Sequence, residues 1–213
     1  MPTPNALRSV NAPSAAGGVI PVAATRGSRS TTPPKTFDDL YDDHVDLVWR
    51  ALRRFGVSEP GLEDAVQEVF IVAFKKLDTF EGKSALSTWL YGIAAYVARN
   101  VRRSQRRRPE TPTEDAGLHL TSASDSPEDE VGAAEALRVL HALLDELDDD
   151  KREVFVLAEL EGLTAPEIST SLGVNVNTIY ARLRAARAAF EQAVVRRRAK
   201  DARQLQKGGL PCR

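Results

Sequence analysis

Hydrogen-bonding side chains alternate with alanines over residues 177–188, and at 3.6 residues per turn several of them share one face of a helix. Amide, hydroxyl and guanidinium groups can bond base edges and phosphates, while small residues let a helix backbone approach closely. Arg184 is the best candidate for a base contact, and Arg182 and Arg187 suit phosphates. The candidate nucleic-acid-binding residues of this segment are Asn177, Thr178, Tyr180, Ala181, Arg182, Arg184 and Arg187.

A second group of polar residues, in "EDAVQEVF" and the isoleucine after it, follows the spacing i, i+3, i+4, i+7. At this spacing the side chains share one side of a helix, opposite the apolar residues of the same segment. An exposed apolar side chain fenced by acids suits a protein partner with a basic surface and would repel DNA. We call this set the docking face: Asp64, Gln67, Glu68 and Ile71.

A third candidate surface runs along one edge of the predicted helix that follows. Trp89 and Tyr96 are seven residues apart, and Arg103 continues the line. Aromatic rings beside arginines offer stacking and backbone attraction, as single-stranded nucleic acid requires. A purely structural role in the core is the alternative, and it is stronger for Trp89 than for Tyr96.

Catalytic and metal-binding patterns do not emerge from the sequence. We find no nucleophile–base pair and no phosphate-binding glycine loop, so an enzyme is not indicated. His44, His119 and His141 lack metal-ligand spacing, and we expect each at the surface or a boundary. No cofactor is indicated either. The single cysteine, Cys212, excludes an internal disulfide and fits a reducing compartment, so we expect a cytoplasmic protein.

Charge is segregated along the 213 residues, although the net charge is only −1. Residues 101–108 carry five arginines and no acid, residues 109–150 carry thirteen acids against one base, and residues 180–207 are basic again. This layout suits two segments that face nucleic acid, separated by a self-repelling connector. No apolar run approaches the length needed to span a membrane, so membrane insertion is not expected.

Helical periodicity places these candidates on an all-α fold of two small helical domains joined by a flexible acidic linker. In the first half, Thr36 is predicted to cap a helix that ends at Gly56. A second helix should run from about residue 61 to Lys76. A third should run from about Ala85 to Arg107, capped by Ser84 and ended by Pro109.

In the second half, Ser126 and Pro127 should begin a helix that leads to another at about 149–161. Then Thr164 and Glu167 form a capping box, a glycine follows at 173, and Asn175 caps a last helix that reaches into "VVRRR". This order is typical of a helix–turn–helix; an αα-hairpin without a DNA role remains the alternative.

Three motifs in this order resemble the extracytoplasmic-function (ECF) sigma factors of bacterial RNA polymerase, a group of the sigma-70 family. "EDAVQEVFIVAF" is similar to the family's core-binding helix in region 2. "TFEGKSALSTWLYGIA" is similar to its promoter-melting and −10-reading segment, and "LTAPEISTSLGVNVNTIYARLRAAR" to its region 4. The resemblance implies a transcription initiation factor without enzymatic activity, whose partners are core RNA polymerase, promoter DNA and an anti-sigma factor.

The resemblance also implies a role for each surface. The docking face would bind the clamp helices of the β′ subunit, with the β subunit as a further contact, and residues 177–187 would read the −35 element. Residues of the loop and third helix would capture unpaired −10 bases: Phe80, Lys83, Ser84, Trp89, Tyr96, Arg99, Asn100 and Arg103. The sequence departs from the common pattern at Gly92, Tyr96, Asn100 and Ala181, so base preferences are not transferred.

The implied division is a disordered tail (1–35), a region 2-like domain (36–108), a linker (109–127), a region 4-like domain (128–198) and a C-terminal tail (199–213). Two other functions remain open from the residues alone. A free-standing helix–turn–helix regulator would explain the second half but leaves the docking face without a role. A pure interaction protein would leave the face around Arg184 without one.

Overall fold

Seven α-helices make up the computed structural model, which describes residues 36–107 and 127–208; within these ranges there is no strand. The predicted all-α class is confirmed. The helices are α1 (Phe37–Arg54), α2 (Leu62–Lys76), α3 (Leu86–Arg107), α4 (Pro127–Asp145), α5 (Asp149–Phe155), α6 (Ala165–Leu172) and α7 (Val176–Gly208). A π-helical turn, Val156–Leu160, extends α5. The predicted N-terminal tail, most of the linker, the predicted cap at Ser126 and the predicted helix stop at Pro109 lie outside the described residues.

Local capping explains where the helices of the first half begin and end. The Thr36 hydroxyl accepts a hydrogen bond from the Asp39 amide, and the Asp39 carboxylate accepts one from the Thr36 amide, both at 3.1 Å. This reciprocal pair satisfies two amides that have no partner within α1. At the other end of the helix Gly56 has a φ of +91° and turns the chain away. The predicted cap and stop of α1 are both confirmed.

Helices α1, α2 and α3 pack against one another and form the first unit. Each contributes a stripe of side chains at helical spacing, and the most buried members, Leu52, Val69 and Leu90, have no exposed surface. His44 belongs to this interior and not to the surface or boundary expected from the sequence. Its Nδ1 lies 3.2 Å from the carbonyl oxygen of Leu40, one turn earlier, so a local contact satisfies the buried ring.

Helices α4 to α7 form the second unit, and the predicted arrangement of a short helix, a glycine turn and a longer helix is confirmed there. Thr164 and Glu167 form the expected capping box at the start of α6. Gly173, with a φ of +66°, ends α6 in the left-handed conformation that favours glycine. The Asn175 side chain then accepts a hydrogen bond from the Asn177 amide at 2.9 Å and begins α7. Ile179 and Leu183 bury the inner face of α7.

The last helix is longer than predicted. The sequence analysis ended it near residue 198 and assigned 199–213 to a tail, but α7 continues to Gly208 over 33 residues. Apolar periodicity stops near Ala193, the last fully buried residue among those of α7 whose burial is described, and this loss of pattern suggested an end. The residues that follow are rich in Arg, Lys, Gln and Ala, which are strong helix formers, and no proline or glycine interrupts them before residue 208.

The two units contact each other along α3, which packs against α6. Buried side chains of both units, among them Leu90 and Ile168, belong to one continuous hydrophobic cluster. Ionic contacts border this cluster, and they join the end of α1 and one face of α3 to α5 and to Glu161. The sequence analysis predicted the two helical units but no contact between them.

Candidate protein and nucleic-acid interfaces

The docking face lies on the outer side of α2, as its spacing predicts. Asp64, Gln67 and Glu68 are exposed, and Ile71 retains 45% of its accessible surface. The inner side of the same helix is anchored by Val69 and Phe70, which are buried against α1 and α3. Because the inner side of α2 is buried, its outer side chains can contact a partner without any change in the packing of the first unit.

Aromatic side chains next to the docking face were missed by the sequence reasoning. Phe74 is 62% exposed and lies three residues after Ile71, and Tyr41 of α1 is also exposed. The rings of Phe37 and Phe74 meet edge to face with centroids 5.2 Å apart, and those of Tyr41 and Phe70 are 4.7 Å apart. The i+3 spacing from Ile71 was the available signal. An exposed apolar group of this kind, rimmed by acids, is typical of a protein-binding surface.

The loop between α2 and α3 holds the next candidates. Phe80 packs on Trp89 with ring centroids 5.3 Å apart, and both are only half-buried, so one part of each ring joins the core and another part reaches the surface. Lys83 is exposed and forms an ion pair with Glu81 on the same loop, and Ser84 is half-buried. The loop therefore presents an aromatic pair and a cation beside the start of α3.

The reading edge of α3, defined here as Trp89, Tyr96, Asn100 and Arg103, is exposed along most of its length. Tyr96 retains 60% of its surface, and Asn100 and Arg103 are also exposed. At 1.5 Å per residue the edge extends for about 20 Å, enough for several nucleotides. Its aromatic and basic groups follow one another in a line, which suits stacking of unpaired bases beside a phosphate backbone.

Arg99, predicted to contact DNA, is engaged elsewhere in this structure. Its guanidinium donates two hydrogen bonds to the Glu153 carboxylate of α5, at 3.1 and 2.5 Å. Burial raises the pKa of Glu153, whose side chain is only 4% exposed, and Arg99 opposes this by stabilising the charged form. The hydrogen bond to Glu153 in turn raises the pKa of Arg99. A phosphate and Glu153 would compete for the same guanidinium.

On α7 the predicted face is exposed, and its arginines differ in their partners. Exposed members are Asn177, Thr178, Tyr180, Ala181, Arg184 and Arg187. Arg182 is half-buried and pairs with Asp150 at 2.6 Å, and Arg187 pairs with Glu159 at 2.7 Å. Arg184 forms no ion pair with any residue in the described parts of the chain. Its exposed side chain lies between the paired Arg182 and Arg187 in the sequence and is available to a partner.

Membrane and metal sites were also sought in the two described ranges. No helix there combines the length and the apolar character required to cross a bilayer. Nor do His, Cys, Asp and Glu side chains in these ranges gather in a group of three that could hold a metal ion.

Comparison with protein families identifies both units. The sigma-70 region 2 family matches residues 40–108, and the sigma-70 region 4 family matches residues 137–190. The first match covers the docking face and the reading edge, and the second covers the helix–turn–helix. A free-standing helix–turn–helix regulator, the alternative left open by the sequence, does not account for the first match.

Individual relatives extend over most of the chain. An ECF RNA polymerase sigma-E factor of Haemophilus influenzae is 33% identical over 75% of this chain and 88% of its own length. The sigma-E factor of Escherichia coli K12 is 36% identical over 75% of this chain and 87% of its own length. In fold, the chain is similar to the sigma factor RpoE solved with the anti-sigma factor NepR from Bartonella quintana, with a TM-score of 0.58 and 21% identity over 76% of this chain and 98% of that one. The chain therefore belongs to the ECF group of the sigma-70 family, and it is a transcription initiation factor that binds core RNA polymerase and directs it to specific promoters.

Proposed function

We propose that three separate surfaces divide the work of this sigma factor. The docking face of α2 binds the clamp helices of the polymerase β′ subunit, the reading edge of α3 captures unpaired −10 bases, and the outer face of α7 reads the −35 element. The observation that carries this proposal is the simultaneous exposure of the three surfaces' central side chains, Ile71, Tyr96 and Arg184, each on a helix anchored from behind. We also propose the domain limits 36–108 and 128–198, with a linker at 109–127 and tails at 1–35 and 199–213.

Docking on the polymerase would combine charge with an apolar anchor. Asp64 and Glu68 suit a basic surface, and their charge disfavours DNA at the same place. Ile71 and Phe74 would supply the apolar contact at the centre, where most of the binding energy of an interface is concentrated. The β subunit would provide a second contact for the chain.

The −10 surface would act on single strands. Trp89 and Phe80 are braced against the core, so a flipped base could stack on the part of the rings that faces outward. Tyr96 adds a second platform, with Ser84 and Asn100 as hydrogen-bonding groups. Lys83, Arg99 and Arg103 would hold the backbone, with Arg99 contributing once it leaves Glu153.

The −35 surface would act on duplex DNA. Arg184 would reach base edges in the major groove, with Asn177, Thr178 and Tyr180 around it. The small side chain of Ala181 allows close approach of α7. Arg182 and Arg187, which are already held by acids of the second unit, would turn to phosphates at its rim.

The membership in the ECF group also suggests how this chain is regulated and where it acts. Since the sigma factor RpoE of Bartonella quintana was solved in complex with an anti-sigma factor, we propose that an anti-sigma factor also holds this chain inactive until a signal releases it. The chain would act in the cytoplasm and catalyse no covalent step itself. Its binding energy would be used to place the polymerase and to stabilise the opened strand.

Run-off transcription with purified core polymerase on genomic fragments tests the proposal. Core polymerase with this chain should start RNA synthesis at defined sites, whereas core polymerase alone should not. The isolated chain should bind duplex promoter DNA only weakly in a gel-shift assay. Tight and specific duplex binding without polymerase would contradict the division of work among three surfaces.

A further inference from the structure

The face of α3 beside the reading edge is covered by the second unit at very close range. Gly92 lies in the interior of α3, and a Cβ atom at this position would be 2.3 Å from the carbonyl oxygen of Ser171, on α6. The Ser171 hydroxyl also donates a hydrogen bond to the carbonyl oxygen of Thr88, at 2.9 Å. Two helix backbones can approach in this way only where one of them has no side chain.

Around this contact, acids of the second unit bind cations of the first. Glu161 accepts hydrogen bonds from Arg54 and from the Tyr91 hydroxyl, both at 2.5 Å. Asp149 forms ion pairs with Arg102 at 2.7 Å and with Arg106 at 3.0 Å. Together with the pair between Arg99 and Glu153, these contacts place three carboxylates on the basic side of α3, next to the edge that would bind a nucleic-acid strand.

We propose that this sigma factor has a closed, self-inhibited state in which its second unit occupies the basic side of α3, and that Gly92 is the residue that permits it. The proposal rests on the assignment of α3 as the −10 reader. In the closed state, carboxylates of Asp149 and Glu153 take the places of phosphates on Arg99, Arg102 and Arg106. A strand bound along Tyr96 and Arg103 would also meet α6 at its side.

Opening is compatible with the length of the connection between the units. Residues 108–126 link α3 to α4, and a chain of this length can span up to about 60 Å when extended. Opening would break ionic contacts, whose charged groups can be hydrated after separation, and would also expose part of the hydrophobic cluster that the two units share. Binding of polymerase or DNA to the open state would then shift the population towards it.

Substitution of Gly92 by alanine tests the closed state, because it should stabilise α3 itself but destabilise the contact between the two units. Alanine is a better helix former than glycine, so Gly92→Ala should strengthen α3 itself. It should nevertheless weaken the closed state, because the methyl group cannot fit against Ser171. Gly132→Ala is the matched control, since Gly132 also lies in a helix, α4, and, apart from its own helix, no atom of the described residues lies within 4 Å of where a Cβ would be.

The distance between the units would be measured by single-molecule energy transfer in the full chain. Dyes would be attached to Glu63→Cys on α2 and Glu191→Cys on α7, both exposed, in a Cys212→Ser background. We expect wild type to be mainly closed, and Gly92→Ala to reduce the ratio of closed to open molecules about tenfold. Gly132→Ala should leave the ratio unchanged. Circular dichroism would check that helix content is retained.

A second variant distinguishes opening of the two units from a local distortion of α3 caused by the added methyl group. Tyr91→Phe removes only the hydroxyl that binds Glu161, and it should shift the ratio in the same direction by a smaller factor. A wild-type chain that is already open, or a Gly92→Ala chain as closed as wild type, would overturn the proposal.

Inhibition is tested separately, with a fluorescent single-stranded oligonucleotide of −10 sequence and no polymerase. Gly92→Ala should bind it more tightly than wild type and Gly132→Ala do. If Gly92→Ala opens the chain without any gain in binding, the closed state does not mask α3 and the inhibitory role is refuted. Failure of wild type in run-off transcription would instead refute the proposed function and leave the distance result intact.

Discussion

The guanidinium of Arg152, on α5, donates a hydrogen bond from Nε to the backbone carbonyl oxygen of Arg54, at the end of α1, at 2.8 Å. Arg102 of α3 does the same for the next carbonyl, that of Phe55, at 3.1 Å. The last carbonyls of a helix have no partner within it and carry partial negative charge, so two guanidinium groups satisfy and stabilise this end. Gly56 makes room, since a Cβ there would lie 2.3 Å from Nη1 of Arg152.

Removal of Arg152 should therefore be costly. Its side chain is 1% exposed and also binds Asp145 at 2.8 Å, so Arg152→Ala should lower the free energy of unfolding by about 2–3 kcal/mol. Arg138→Ala is the control, because Arg138 is exposed and pairs with the exposed Glu135 on its own helix. It should cost no more than about 0.5 kcal/mol. Urea denaturation followed by circular dichroism would measure both; equal effects would show that the cap at α1 contributes little.

Charge reversal on the docking face should abolish polymerase binding without unfolding the first unit. Asp64→Lys combined with Glu68→Lys replaces two exposed acids that would face a basic surface, and co-purification with core polymerase should be lost. Asp42→Lys with Asp46→Lys is the matched control, with the same spacing and charge change on exposed positions of α1. Normal co-purification of the first double variant would refute the docking assignment.

Truncation of Phe74 should separate apolar anchoring from charge. Because Phe74 is largely exposed, Phe74→Ala should leave thermal stability nearly unchanged but weaken binding to core polymerase by about 1–2 kcal/mol, roughly tenfold. Val195→Ala, at an equally exposed apolar position on α7, should alter neither quantity. Binding would be measured by fluorescence anisotropy of the labelled chain. If Phe74→Ala binds core polymerase as tightly as wild type, Phe74 contributes nothing to the apolar contact and Ile71 alone would provide it.

The two arginines of α7 should behave differently in promoter recognition. Arg184→Ala should cost about 1–3 kcal/mol at a single base position of the −35 element and relax the preference there. Arg187→Ala should instead weaken all promoters to a similar degree, as expected for a phosphate contact. Transcription from a library of −35 variants would distinguish them, and an unaltered preference profile for Arg184→Ala would assign it to solvent or backbone.

Acid should destabilise the fold through His141. Burial, together with Arg53, Arg54 of α1 and Arg152 of α5, lowers its pKa to about 4, and only Asp145 of α4 opposes this shift. An unfolded histidine binds its proton near pH 6.5, so the unfolded state takes up the proton first. The free energy of unfolding should therefore fall as the pH drops from about 6.5 to about 4.

His141→Gln should flatten the fall in the free energy of unfolding between about pH 6.5 and about pH 4. The raised pKa of Glu153 opposes this fall in both chains, because the folded state takes up that proton more readily than the unfolded chain. Urea denaturation of both chains at several pH values would measure the difference. Parallel profiles for wild type and His141→Gln would show that His141 does not titrate differently on folding.

Local signals explain why the helices could be predicted from the sequence. The cap at Thr36, the capping box at Thr164 and the turn at Gly173 each depend on residues no more than five positions away, so their types and spacing are sufficient. The docking face and the exposed face of α7 followed from periodicity in the same way. The end of α7 was wrong, since it lies where the apolar pattern disappears while helix propensity persists. The cap of α3 was also wrong, because the helix begins at Leu86 and Ala85, not Ser84, lies directly before it.

Contacts between the units had no comparable signal. Arg152 lies in "DDKREV", a run that is typical of an exposed helix, yet it is the largest fully buried side chain of the described residues. The pair between Arg99 and Glu153 joins residues 54 positions apart, and many arginines and acids could have formed it equally well. Which cation meets which acid is decided by how two helix faces pack, and this information is absent from local spacing.

Helix α7 has one more mechanical consequence. No loop or breaker separates Asn177 from Arg203, so these two residues are ends of a single rod, about 40 Å apart at 1.5 Å per residue. If a macromolecule bound the far end of α7 and tilted it, the end proposed to contact bases would tilt by the same angle. A macromolecule bound near Arg203 would therefore have a fixed orientation relative to the proposed −35 contacts at the other end of α7.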